Sequence, residues 1–254
     1  MSWTYRHFID YEGAKDPGST AHQAQAGPNG PENNADLCYA YSQDDGQTWS
    51  NSHGELIADL GKGQTILPTS RGITAYEIPR GSGVLNQESQ AAHPNGNFHV
   101  LNRQKDEQDQ ERWHHYWRDS KNEWHKKVIV FARTLSGTPT ALRPTESGPR
   151  GSIATDHQGD VYYVIRGNND DSLKLIRSSA ASFFENVELL WEGYGFDAEP
   201  LIDDSSFQSS NVLSVFIVRD GLAVVLDFTV SRDFDNTAMV IEDSYSSVSD
   251  YSNP

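Results

Sequence analysis

Short apolar and aromatic runs recur along the chain, broken by turns rich in Gly, Asn, Asp and Pro, while helical periodicity is nearly absent. Alternation at a period of two predicts strands. The runs fall into sets of four. "NQESQAAH" (86–93) leads through the turn "PNG" into "NFHVLNRQ" (97–104), followed by "RWHHYWRD" (112–119) and "WHKKVIVFA" (124–132). A second set reads "GSIATD" (151–156), "DVYYVIRG" (160–167), "SLKLIRSS" (172–179) and "NVELLWEG" (186–193). A third reads "AEPLIDD" (198–204), "NVLSVFIVRD" (211–220), "LAVVLDFTVS" (222–231) and "NTAMVIED" (236–243). Four antiparallel strands per repeat predict an all-β chain built as a β-propeller of four-stranded antiparallel blades. Blades are expected at about 1–60, 86–132, 150–193 and 197–243. The low-complexity tail from 244 onward is expected to be disordered.

The N-terminal stretch holds a sharper signal. "SQDDGQTW" places Ser42, Asp44, Gly46, Thr48 and Trp49 at the spacing of an Asp-box, S/T-x-D-x-G-x-T-W/F. In such a turn the Asp carboxylate accepts backbone N–H bonds, the Gly permits positive φ, and the Trp packs back between strands. The box therefore staples the hairpin between the third and fourth strands of a blade. A degenerate copy lies in "RDSKNEW", where Asp119 and Trp124 keep the separation of Asp44 and Trp49; a weaker trace is Ser231 and Asp233. With "DLCYAYSQD" (36–44) as third strand and "GELIADL" (54–60) as fourth, "SWTYRHFID" (2–10) becomes the second strand. The innermost strand is then expected before Met1, which leaves about four blades, the first of them incomplete.

Composition narrows the partners. The formal net charge is −16, a field that repels nucleic acid and anionic membranes, so neither is an expected partner. No apolar run approaches a membrane span, and "MSWTYRHFIDY" lacks the apolar region of a signal peptide. The lone Cys38 sits in an apolar strand pattern and reads as a buried structural thiol. "DLGKGQT" (59–65) lacks the spacing of a phosphate-binding loop. No metal or cofactor is expected. A structural calcium ion would belong in the acidic loops "DYEGAKD" or "GNNDD", which lack EF-hand spacing and read better as solvated turns.

"GPNGPENNADLCYAYSQDDGQTW", "HYWRD" and "PRGSIATDHQGDVYYV" resemble the BNR-repeat (Asp-box) propeller family, in particular its polysaccharide-lyase branch of ulvan lyases and fungal rhamnose–glucuronate lyases. The resemblance covers most of residues 2–243. It implies an incomplete seven-bladed propeller, truncated at the N-terminal side, from a family whose members are extracellular. It also implies an acidic polysaccharide or oligosaccharide partner and cleavage of a glucuronate-containing glycan by β-elimination. Because the Asp-box is shared with sialidases and many other propellers, two alternatives stand beside the lyase. One is a sialidase-like hydrolase, and the other is a non-catalytic carbohydrate-binding or interaction propeller.

In a blade, the loop joining strands two and three and the loop joining successive blades lie on the face opposite the Asp-box. That face is expected to carry Arg6, His7, Arg103, Gln104, Arg166, Asn168, Trp113, His114 and His115, with His22, Asn33, Asn34, Arg71, Tyr76, Arg80, Asn86, Gln87, Glu88 and Arg150 from loops and strand starts. β-Elimination needs a cation or amide against the uronate carboxylate and groups that move a proton. Arg103 or Arg150 is the candidate for the carboxylate, and His115 or His22, with Tyr76, for proton transfer. Asn34, Gln87, Trp113, Arg6 and Arg166 are the candidates for substrate binding. His114 and His115 alternate in facing, so at most one of them points to the site. The resemblance also implies, for some lyases of this branch, a His just before the "DLCYAYS" strand, where this chain has "NNAD", and another on the innermost strand expected before Met1. Asn34 can bind but cannot act as a base, which implies an incomplete catalytic set and a fragment inactive on its own.

Overall fold

The computed structural model describes residues 1–6, 34–84, 89–131, 140–141, 149–167, 170–230 and 241–245. The acidic segment "DYEGAKD" and the tail beyond 245 lie outside them. Among the described residues nineteen strands and one short α-helix alternate with tight turns. No described helix is long and apolar enough to cross a membrane.

Three of the sheets are four-stranded, antiparallel and ordered as in sequence. One holds β6 (Ser89–Ala92), β7 (Phe98–Lys105), β8 (Glu111–Arg118) and β9 (Trp124–Val128). The next holds β12 (Ser152–Thr155), β13 (Val161–Arg166), β14 (Leu173–Ser178) and β15 (Val187–Gly193). The last holds β16 (Phe196–Ile202), β17 (Val212–Arg219), β18 (Leu222–Thr229) and β19 (Ile241–Tyr245). These are the sets read from the periodicity, and the arrangement is that of a partial β-propeller.

The N-terminal sheet departs from expectation. β1 (Ser2–Arg6) pairs with β2 (Asn34–Tyr39), as second and third strands should. The fourth place, however, is taken by β5 (Thr74–Tyr76), not by residues 54–60. Residues 56–59 form β4, which pairs with β3 (Thr48–Ser50) in a separate two-stranded ribbon carrying the Asp-box. The box extends the chain out of the sheet before it returns. β10 (Val130–Phe131) and β11 (Thr140–Ala141) form another short ribbon.

The sheets stack face to face because both faces of each strand are apolar or aromatic. Phe98, Val100 and Tyr116 pack towards Leu37, Tyr39 and Ile78. Leu101, Trp113 and Trp117 point the other way onto Ile153, Tyr163, Ile165 and Phe184. Between the last two sheets, Tyr162, Leu173 and Leu175 meet Phe196, Leu213, Val215 and Leu226. This core also receives Phe207 from α1 (Asp204–Ser210), a helix capped by the Asp203 carboxylate accepting the Ser206 N–H. Side chains of opposite parity thus serve two inter-sheet cores, which is the property of a strand buried on both faces.

The turns repeat one device. In the Asp-box, Asp44 Oδ1 accepts the Ser42 hydroxyl at 2.8 Å and the Thr48 N–H at 2.8 Å, Oδ2 accepts the Thr48 hydroxyl at 2.7 Å, and the Trp49 indole N–H donates to the Gly46 carbonyl. Gly46 stands at φ +84°, a conformation that costs an L side chain free energy. Asp106, Asp119 and Asp156 each accept two N–H groups, from two and four residues downstream, in the turns after β7, β8 and β12. Trp124 of the degenerate box sends its indole N–H to Ser52, linking its blade to the preceding one.

Candidate functional site

A cleft of about 600 Å³ opens where the β7–β8 turn faces residues 79–82, the segment that leads from the N-terminal sheet to the β6–β9 sheet. It lies on the face selected by the blade geometry. Arg80, Lys105, Lys126 and Lys127 line it together with Gln104 and His114. Its acids are partly engaged: Asp109 pairs with Lys105 at 3.0 Å, and Asp106 pairs with Arg112 at 3.2 Å. Lys127 turns its ammonium away, to the Phe184 carbonyl and Glu185, so Arg80, Lys105 and Lys126 share the cleft with Asp106, Glu107 and Asp109, a locally balanced set in a chain of net charge −16.

His114, itself only 1% exposed, lies in the cleft wall and is held in one tautomer. Its Nδ1 lies 3.2 Å from the backbone carbonyl of Arg112, and a carbonyl oxygen can only accept. Nδ1 therefore carries the hydrogen when the ring is neutral, and Nε2 presents a lone pair. Burial pushes the pKa down to about 4, with Lys126 and Arg112 adding to the fall and the Arg112 carbonyl and Asp106 opposing it. Near neutral pH the imidazole is an uncharged acceptor. Beside it the Tyr116 hydroxyl donates to Gln104 Oε1 at 2.5 Å, which fixes the amide in the cleft wall.

The structure distributes the other candidates differently. His115 is fully buried in the opposite core, stacked on Trp117 and His99 and edge-on to Tyr163 and Phe184. Strand parity is the reason: in β8, His114 and Tyr116 face the N-terminal sheet, and Trp113, His115 and Trp117 face the β12–β15 sheet. Trp113 is likewise 2% exposed and packs on Leu101, Ile153 and Ile165, so it stacks on core side chains and presents no face to a sugar. Arg103 is 3% exposed, with its guanidinium 5.2 Å above the Trp113 ring. Arg150 pairs with Glu199 at 3.4 Å, and Arg166 with Asp197 at 3.7 Å, both across to the following sheet.

Asn34 is fully buried and donates from Nδ2 to the Val84 carbonyl at 2.7 Å, a latch across the N-terminal sheet. Tyr76 packs edge-on against Tyr116 with Lys126 above its ring, and borders a second cleft of about 550 Å³ lined by Ser52, His53 and Trp124. His22, Gln87 and the side chain of Arg6 lie outside the described residues. In the acidic stretch "GNNDD", Asp170 accepts the Ser172 N–H and hydroxyl, and its carboxyl is held below the usual range first by that hydroxyl. Among the described residues, then, the structure brings together His114, Gln104, Arg80, Lys105 and Lys126. Gln104 and Arg80 are legible from loop position, and His114 from parity once one neighbouring inward-facing residue is known.

Stacked four-stranded antiparallel sheets and an Asp-box define a partial β-propeller of the repeat class. Residues 1–132, slightly more than half of the chain, match a model described as a BNR repeat-containing family member. The chain belongs to the BNR repeat-containing family. No curated protein matches it. Among solved structures it is similar to "Crystal structure of polysaccharide lyase Uly1", at 12% identity and a TM-score of 0.44, over 77% of this chain and 36% of that one. The chain thus spans little more than a third of the length of that protein.

Proposed function

We propose that this is a carbohydrate-active propeller that takes an acidic polysaccharide into the cleft beside His114 and cleaves a glucuronate-containing glycan by β-elimination. The observation that carries the reading is the pairing of a neutral, tautomer-fixed imidazole with several cations in one cleft of an acidic protein. Membership of a BNR repeat-containing family accords with it.

Arg80 and Lys126 are placed to neutralise the uronate carboxylate, which lets negative charge develop at C5. His114 Nε2 accepts the C5 proton as the C4–C5 double bond forms and the C4–O bond breaks. The leaving oxygen takes a proton from water at the open mouth. A bound carboxylate near His114 opposes the effect of burial and raises its basicity. A retaining or inverting hydrolase of the two-carboxylate kind would need a pair flanking the bond at a set separation; among the described residues of this cleft Asp106 and Asp109 are paired with cations, which leaves Glu107 alone.

The test is incubation of the pure chain with a glucuronate-bearing polysaccharide, monitored by the ultraviolet absorbance of the unsaturated uronate. Wild type should generate the chromophore, and His114→Ala should lower the rate by about 10²–10⁴-fold, the usual contribution of a positioned proton-transfer group. Equal rates would remove His114 from the chemistry. Binding of the polysaccharide with no chromophore would make the chain a binding module.

A further inference from the structure

The β8–β9 turn lies at the end of the β6–β9 blade opposite the cleft, and it carries three ligand-bearing side chains of which the turn itself uses only Asp119 Oδ1. Asp119, Glu123 and His125 each offer one ligand atom, and these atoms lie within 4.8 Å of one another. Asp119 Oδ2 stands 3.1 Å from His125 Nε2, while its Oδ1 accepts the N–H groups of Lys121 and Glu123.

The first Asp-box shows what this turn would contain if it were only a staple. Asp44 is surrounded by the Ser42 and Thr48 hydroxyls and the Thr48 N–H. In the β8–β9 turn Trp117 stands where Ser42 does and Glu123 where Thr48 does, and Asp119 Oδ2 faces the His125 imidazole instead of a hydroxyl. The imidazole is also held from outside its own turn. Its ring stacks on Trp117 of β8, with centroids 5.1 Å apart and planes 24° apart. Phe183, from the next blade, meets it edge-on at 4.9 Å. Two aromatic side chains on separate elements thus orient one nitrogen towards two carboxylates. Closing a staple would not require that.

We propose that Asp119, Glu123 and His125 form a divalent-cation site of the zinc type, tying the β8–β9 turn to its clamped histidine. Two carboxylates and one neutral imidazole supply charge −2 and a mixed O/N donor set, which suits zinc with water in the remaining position. Calcium requires six to eight oxygen ligands, more than this turn provides. Glu123 is exposed and His125 is 26% exposed, so an ion has access and the carboxylate can swing onto it. Binding displaces any proton held between Asp119 and His125, so affinity should fall in acid.

The experiment is calorimetric titration of ZnCl₂ into the chain after dialysis against a chelator, with CaCl₂ titrated in parallel. One zinc equivalent should bind tightly and calcium at least about tenfold more weakly. Glu123→Gln changes an exposed residue and leaves the packing alone; it should weaken zinc binding at least about tenfold, and His125→Ala should abolish the tight phase. Circular dichroism of both variants separates lost binding from lost fold. Unchanged zinc affinity in Glu123→Gln and His125→Ala, no zinc binding by wild type, or tighter calcium binding each overturns the assignment.

Discussion

Replacing Trp113 by alanine should lower the stability of the fold by about 3–5 kcal/mol, the usual cost of emptying a large aromatic site in a closed core. The ring is 2% exposed and fills the space between the β6–β9 and β12–β15 sheets. A Cβ on Gly151 would stand 3.2 Å from the Trp113 ring and 2.8 Å from Leu101, so the space around it is already full. The guanidinium of Arg103 lies over the same ring and would lose its platform. Urea unfolding should show the loss as a lower midpoint with little change in slope. The outcome separates two roles for one residue. A tryptophan that only stacked on sugar at an open face would leave the midpoint unchanged and weaken saccharide binding alone.

Acidification from pH 6.5 to 5 should destabilise the chain by about 2 kcal/mol for each of three buried histidines, on the order of 5 kcal/mol in all. His99 and His115 meet between the sheets, His99 Nδ1 lying 3.0 Å from His115 Nε2, and His99 Nε2 and His115 Nδ1 find no hydrogen-bond partner among the described residues. Phe184, Trp117 and Tyr163 enclose them, and the charged or titratable groups acting on the pair are His93 and Lys127. Desolvation comes first in each case. It takes His99 down to about 3, His115 well below its ordinary value and His114 to about 4.

Since the folded values are depressed, the unfolded chain binds more protons below pH 6.5. The stability these rings contribute is complete above that point and drains as pH falls towards the folded values. Ordinary carboxylates titrate lower, so the window from 6.5 to 5 belongs mainly to the histidines. The doubly substituted His99→Phe, His115→Phe chain keeps ring packing and should lose roughly two thirds of this pH slope. An unaltered slope would contradict the assignment.

Sequence and structure agree where the controlling chemistry is local. "SQDDGQTW" carries its own hydrogen-bonding partners within eight residues, so its turn is readable without the rest of the chain. The alternation in "NFHVLNRQ" and "RWHHYWRD" announces β7 and β8 for the same reason. Agreement fails where the partner is distant. β5 displaces residues 54–60 from the N-terminal sheet because β2 selects its neighbour over a long separation, and nothing within Thr74–Tyr76 signals that pairing.

The site residues escape a linear reading for a related reason. A strand buried on both faces has no polar side to reveal its parity, so His114 and His115 are equivalent in sequence and opposite in space. Arg150 and Arg166 meet Glu199 and Asp197 of the next blade, partners that an acidic composition makes common and a linear reading cannot pair. The trio Asp119, Glu123 and His125 is hidden for the opposite reason. Its spacing is local, but its meaning depends on Trp117 and on Phe183 arriving from another blade.

The proposed role of the cleft rests on its cations acting together on an anionic sugar. The most direct measurement is calorimetric titration of a glucuronate-bearing oligosaccharide into wild type, into the doubly substituted Arg80→Ala, Lys126→Ala chain, and into Arg150→Ala. The expected result is saturable binding by wild type and Arg150→Ala, with at least about tenfold weaker binding by the double variant. Equal affinity in all three, or a loss confined to Arg150→Ala, would place the saccharide elsewhere on the molecule and contradict the account.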